Sequence, residues 1–485
     1  MPSEARKITF DTAAIFTAKL ISLLLGVVRL KYIAVYLGVG NFGIYTFAMY
    51  FVATFGLLFD VGVSQIITRD IAADRSRTQA YVFNGLALKL LLFVGTAILI
   101  VFATILSRFD GITNWAIAFS VFITGINSLT LVFTSVFQAY RKMRLVSIIT
   151  VATDLSTSIA VIVLLIYGYG LFGLLVGSAI ASFLVFVVTI FLYQKICGPI
   201  RPKLTRRLSS YLLNEGWPLA LGGVGIVLYL NVTSSLLKYI QGDQAVGYYN
   251  AALKIIMILN VVPTSFTPVV YPFFSEIFNN SKEKLKSVLE VSVRYMIIVS
   301  VPLSVGTILV AKKLILTIYT PAFLPAVLPL QILIISSLFS YANYVFYTFF
   351  PAVKHQRFGT YITLPTGIAV VIANYLLIPS FGILVPSISL AAVEVILFIA
   401  AYLYLRHMKM TLNIYRMFAK PILSCLPMGL AVFLLSRFSV FVQVGAAIVT
   451  YGVAFYIFKG IFEEDRVILE RILPAPIKEL ILRNI

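Results

Sequence analysis

Ten ionisable side chains stand inside stretches that are otherwise apolar: Lys19, Arg29, Lys31, Lys89, Lys238, Lys254 and Arg294, and the carboxylates Asp60, Asp154 and Glu394. A charge in hydrocarbon costs at least ~2.5 to 3.5 kcal/mol on insertion scales, so each needs a partner, water or a function. An ammonium or guanidinium at low dielectric neutralises an anion. A carboxylate in the same setting takes up a proton or a sodium ion readily, which is how transport is coupled to a gradient.

Depth sorts these groups. Lys19 follows Phe10 by nine residues, about 14 Å at helical rise, which is too deep for easy escape to the interface. Arg29 lies in the far half of the same segment, and Lys254 lies about 10 Å into a later one. Positions 19 and 29 differ by about 80° around a helix, and Asn250 and Lys254 by about 40°, so each helix can turn its polar groups to one cavity. Lys19, Arg29, Lys254, Asn250 and Asn231 are therefore candidate ligands of an anion-attracting cavity. The alternative is structural pairing of the cations with Asp60, Asp154 or Glu394. Asp154, beside Thr150, Thr153 and Ser158, and Glu394 are the candidate sites for a coupling proton or sodium ion, or else neutralise a nearby lysine. Lys31, Lys89 and Lys238 stand near segment ends, where snorkelling suffices. Arg294 follows Glu290 by four residues, a favourable helical pair.

The elements that position these residues follow from composition. The chain has 485 residues, 60% of them hydrophobic and only 12% charged, with a mean hydropathy of +1.00. Such a chain belongs in a membrane, and no polar stretch is long enough for a sizeable soluble catalytic or nucleic-acid-binding domain. Apolar windows predict an all-α integral membrane protein with fourteen transmembrane helices, near residues 10–36, 43–66, 82–105, 115–137, 146–166, 171–193, 217–239, 247–275, 287–310, 326–351, 359–378, 384–405, 417–435 and 439–459. The first is expected to remain uncleaved. The N-terminal segment, the loops after even-numbered helices and the tail hold 27 of the 38 lysines and arginines, whereas the opposite loops hold Arg108, Lys312, Lys313 and Arg437. The positive-inside rule then puts both termini in the cytoplasm. Two cysteines, Cys197 and Cys425, are too few for a disulfide framework. Neither a metal site nor a cofactor is expected.

The loop after the first helix reads LKYIAVYLGVGNFGIY (Leu30 to Tyr45), and that after the seventh reads LKYIQGDQAVGYY (Leu237 to Tyr249). Gly38, Gly43 and Tyr45 recur as Gly242, Gly247 and Tyr249, each 204 residues on. The glycines are expected to make a tight turn and the tyrosines to anchor at headgroup level. The repeat predicts two pseudo-symmetric six-helix lobes, residues 1–205 and 206–408, with residues 409–485 adding helices thirteen and fourteen and a cytoplasmic amphipathic tail. An even helix count makes the repeat parallel, about an axis along the membrane normal. Lobes that rock about a central cavity are the expected device of a transporter.

The segments RLKYIAVYLGVGNFGIY (Arg29 to Tyr45) and DVGVSQIITRDIA (Asp60 to Ala72) resemble the amino-terminal signature of the polysaccharide transporters. These are the Wzx-type flippases of the multidrug/oligosaccharidyl-lipid/polysaccharide exporter superfamily. The resemblance implies a two-lobed, V-shaped fold with alternating access, moving undecaprenyl- or dolichyl-linked oligosaccharide from the cytoplasmic to the external leaflet for polysaccharide biosynthesis. It also implies that basic residues of the first and eighth helices face the pyrophosphate, and Lys19, Arg29 and Lys254 occupy those helices. The alternatives are a lipid II flippase, which shares the plan and a cationic cavity, and a multidrug exporter, for which the charge of the first helix has the wrong sign. A membrane glycosyltransferase or ligase needs clustered carboxylates, a histidine or a metal, and His355 and His407 lie on loops without such neighbours. The expected protein is thus a monomeric, multi-pass transporter of the cell membrane and not an enzyme, with an anionic diphosphate lipid as its partner, no nucleic acid and no cofactor.

Overall fold

A computed structural model describes residues 2–278 and 281–460, with side chains from Thr17 onward except Leu219. The amphipathic tail expected at 463–485 lies outside the described residues. Among those described, secondary structure is helical throughout, without strands. The helices are α1 (Pro2–Thr54), α2 (Gly56–Asp60), α3 (Val63–Ala73), α4 (Thr78–Ser107), α5 (Gly111–Ala139), α6 (Met143–Ile166), α7 (Gly170–Cys197), α8 (Arg206–Leu221) and α9 (Val224–Val227). They continue as α10 (Thr233–Leu259), α11 (Val261–Phe278), α12 (Lys282–Ile318), α13 (Val327–Ala352), α14 (Arg357–Phe381), α15 (Leu384–His407), α16 (Ile414–Leu434) and α17 (Val440–Ile457).

Twelve helical stretches are long and apolar enough to cross a membrane, and two of these are of double length, Thr17–Thr54 and Val224–Phe278. Each double stretch is broken by the repeated glycine. Gly38 (φ 65°, ψ −177°) interrupts α1 and Gly242 (φ 80°, ψ −174°) interrupts α10. That backbone region is open essentially to glycine alone, so the break recurs at an offset of 204 and turns twelve stretches into fourteen helices. The seventh and eighth helices are interrupted too. Gly222, Gly223 and a π-helical turn at Leu228–Val232 interrupt the seventh, and Asn260 separates α10 from α11 in the eighth.

The chain forms two compact units. Unit 1 holds Met1–Asn250, Ile318–Ala322 and Thr363–Pro386; unit 2 holds Ala251–Thr317, Phe323–Ile362 and Ser387–Ile485. Each has its own apolar core. In unit 1, Val63, Ile67, Val132, Phe133 and Tyr193 meet among α3, α5 and α7. In unit 2, Phe274, Leu289, Phe346, Phe349 and Leu405 meet among α11, α12, α13 and α15. The opposite faces leave large apolar groups uncovered, such as Leu91, Phe102 and Leu106 of α4 and Phe441 and Ile448 of α17. Lipid is the solvent that tolerates such faces.

Candidate functional site

The α1 arm before Gly38 carries Lys19 and Arg29. Lys19 is half-buried. The Arg29 guanidinium stands 3.9 Å from a carboxylate oxygen of Asp154, eleven residues into α6, and both side chains keep about a quarter of their surface open, at 24% and 28%. Sequence depth allowed Arg29 a structural partner or a cavity, and the geometry gives it both a carboxylate neighbour and an open face. One loose contact leaves most of the five guanidinium donors available to a second anion.

The two hairpin glycines that do not turn the chain have a different task. A side chain on Gly43 would drive into the Asp243 carbonyl oxygen, and one on Gly247 would stand 2.5 Å from the carbonyl oxygen of Val39. Residue 43 meets 243 and residue 247 meets 39, so the pair of contacts exchanges under the 204-residue shift. This is the signature of a local twofold seam. On its axis lie Thr46 and Asn250, themselves 204 apart: the Asn250 amide donates to Thr46 Oγ1 at 3.2 Å, and its carbonyl accepts from Ser234 Oγ at 3.3 Å. Asn250 is therefore fully buried, its amide bound within the seam.

Lys238 clamps the same end. It lies 2.5 Å from Asp243, 3.7 Å from Asp110 and 2.8 Å from the Thr113 hydroxyl, over the rings of Phe47 and Phe109. Only 8% of its side chain is exposed, so it does not snorkel. Burial pushes the Asp110 carboxyl up, but the Thr113 hydroxyl and amide and the Lys238 ammonium outweigh it and hold Asp110 below its ordinary range.

Lys89 does not snorkel either. It is fully buried, 2.5 Å from Asp60, and donates to Ser64 Oγ at 2.7 Å and the Ser128 carbonyl at 2.8 Å. Ser128 Oγ in turn donates to the Phe59 carbonyl at 2.7 Å. One ammonium thus ties α4 and α5 to the point where α2 breaks into α3. The signal missed in the sequence is that Lys89 and Asp60 are two opposite charges on adjacent helices at similar depth.

Asn231 is half-buried in the π-helical turn of unit 1. In unit 2, Lys254 is half-buried on the α10 arm after Gly242, and the Glu394 carboxylate accepts from Asn343 Nδ2 at 2.7 Å, between α15 and α13. Among the described residues, no cluster of three histidine, cysteine or acidic side chains is arranged to hold a metal ion.

The model of a family described as "Polysaccharide biosynthesis protein" matches residues 8–278. An uncharacterized membrane protein of Methanocaldococcus jannaschii, MJ1068, is 24% identical over 354 residues, which is 68% of this chain and 69% of that one. Among solved structures, the lipid II flippase MurJ in an inward closed conformation superposes with a TM-score of 0.74 at 16% identity, covering 93% of this chain and 99% of its own. An inward-facing multidrug resistance MATE family transporter of the MOP superfamily gives 0.68 at 13% identity, covering 82% and 98%. A MOP superfamily transporter from Pyrococcus furiosus, described by a reversed polarity of its binding pocket, gives 0.61 at 14%, covering 82% and 95%. These likenesses establish the transporter fold.

Proposed function

Because the chain belongs to the polysaccharide biosynthesis protein family, we propose that it is a flippase carrying polyprenyl-diphosphate-linked oligosaccharide from the cytoplasmic to the external leaflet by alternating access. The observation that carries this reading is Arg29, a guanidinium at span depth with one carboxylate neighbour and an open face. A diphosphate entering a low-dielectric interior requires such a charge. Lys19 on the same arm and the Asn231 amide of unit 1 are assigned to the same headgroup, and Lys254 is the candidate substrate cation of unit 2. The glycan travels through hydrated protein while the lipid tail stays in the bilayer. No covalent change occurs.

The positive-inside rule sets the hairpin end outside and both termini in the cytoplasm of a cell that carries the protein in its bounding membrane. The seam of Gly43 and Gly247, a backbone contact within unit 1, then acts as the outer gate. Asn250 belongs to that gate rather than to the headgroup. Asp154 and Glu394 are the groups that would take up a coupling proton or sodium ion, Asp154 next to the substrate cation and Glu394 in unit 2.

The test is flipping by protein reconstituted in vesicles, read with a fluorescent polyprenyl-diphosphate-linked sugar and a membrane-impermeant quencher. Alanine at Lys19, Arg29 and Lys254 together should leave the protein inserted and abolish flipping. Wild-type rates in the triple variant would remove the cation assignment. Stronger competition by lipid II than by other lipid-linked sugars would shift the substrate to peptidoglycan precursor.

A further inference from the structure

Unit 1 contains a second built feature, an open groove of about 550 Å³ lined by the end of α2, by α5 and by α6. That volume is within the ~300 to 1,000 Å³ of small-molecule sites. Its α5 wall is one helical stripe: Thr124, Asn127, Leu131, Thr134 and Gln138 recur at intervals of three and four residues. Thr150 and Thr153 of α6 face them. Asn127 is the seventeenth residue of a 29-residue helix, so it lies at mid-depth, and it is exposed. An uncovered amide in the middle of a span is a site for a ligand or for water, since lipid gives it no partner.

Charge decides what the ligand is. The two carboxylates of the groove, Asp60 and Asp154, already face Lys89 and Arg29. With each acid matched by a cation, the α5 stripe beyond Arg29 offers net charge to neither a metal ion nor an anion. What remains is a ladder of neutral hydroxyls and amides. The hydroxyls of Thr134, Thr150 and Thr153 donate to carbonyls of their own helices, which leaves their lone pairs to accept. Asn127 and Gln138 each both donate and accept. That is the complement of a polyhydroxylated neutral molecule, and Arg29, at the Asp154 end, marks where a diphosphate attached to it would stand.

We propose that this groove is a glycan subsite, in which the sugars next to the diphosphate lie along the α5 stripe while the diphosphate stays at Arg29. The assignment rests on the flippase reading above and names the part of the molecule that reads the glycan.

The experiment measures binding of a polyprenyl diphosphate, bare or carrying one N-acetylhexosamine, to the full-length protein in nanodiscs. Wild type is expected to prefer the glycosylated lipid by about tenfold, the worth of one to two hydrogen bonds at ~1 kcal/mol each. Asn127→Leu combined with Gln138→Met, and separately Thr134→Val, keep side-chain volume and should reduce that preference, the double variant to near equality. Unchanged melting of the ligand-free variants checks that they fold. A preference that survives the double variant overturns the subsite, as does a wild type that binds both lipids equally. Sodium-dependent stabilisation lost in the double variant, in place of a lost glycan preference, would make the groove a cation site. If wild type binds neither lipid, the flippase reading itself fails and takes the subsite with it.

Discussion

The hairpin seam and the α5–α6 groove are built by opposite means. The seam brings backbone to backbone, and its key residues are glycines that contribute only the absence of a side chain. The groove brings functional groups to a space and leaves them there, with each of its two acids opposite a cation. A contact made of backbone has two settings, shut or separated, because carbonyls and amides cannot change rotamer to make room. A surface made of threonine, asparagine and glutamine adapts, and can be altered one hydrogen bond at a time. A gate needs the first property and a binding groove the second.

This contrast is broken most strongly at Gly43. A valine there meets a carbonyl oxygen that cannot move aside, so overpacking should reach the top of its usual range, about 3 kcal/mol against the closed seam, a shift of roughly a hundredfold in its opening. Thr46, only 1% exposed beside it, becomes the reporter: Thr46→Cys should react with an impermeant thiol reagent far faster when Gly43→Val is present. Equal reactivity with and without the valine would mean that the seam is no gate.

The next effect is at the head of the groove. Lys89→Met leaves Asp60 without its ammonium, and because Asp60 is 27% exposed the loss should be about 2 kcal/mol, less than the ~3 to 5 of a fully buried pair. Adding Asp60→Leu should restore most of the melting temperature. A double variant no more stable than Lys89→Met would show that the pair is not the source of the loss. Asn250→Ala, which removes one hydrogen bond on the seam axis, should cost about 1 kcal/mol in the same measurement. If it costs nothing, the axis is held by glycine packing alone.

The smallest effect belongs to the clamp of Lys238. Asp110 is 54% exposed, so Asp110→Asn should cost less than ~1 kcal/mol and the cost should fade as salt is raised. Its carboxyl is held below the ordinary value in the folded protein. Its stabilising contribution is therefore complete above about pH 4 and is lost as pH falls through the depressed value. Stability of Asp110→Asn and wild type measured from pH 7 downward should converge in that acid range. A gap that stays constant there would place the carboxylate outside the clamp.

Much of this was legible in the sequence. Apolar windows placed the membrane helices, because a span of ~20 residues is fixed by bilayer thickness and leaves little freedom. The 204-residue repeat was legible from three residues, two glycines and a tyrosine, and both breaks fall on its glycines. The division of labour among those glycines was not: Gly38 and Gly242 turn the chain, whereas Gly43 and Gly247 admit a neighbouring backbone. Lys89 and Lys238 read as snorkelling because depth along one helix is local information, and their partners lie on other helices or beyond a turn. The groove stripe was present in α5 as polar residues at heptad spacing, but hydrophobic windows average such a stripe away.

By itself the sequence determined that the chain lives in a membrane, how many times it crosses, and that one hairpin motif recurs 204 residues on. All three follow from composition and spacing, which need no third dimension. Only the tertiary structure decided which charge faces which. It also decided that repeat glycines meet one another's backbones and that the α5 stripe looks across at α6. Those depend on helices far apart in the chain lying within a few ångströms, and at that range a single methyl group or a single carboxylate decides the contact.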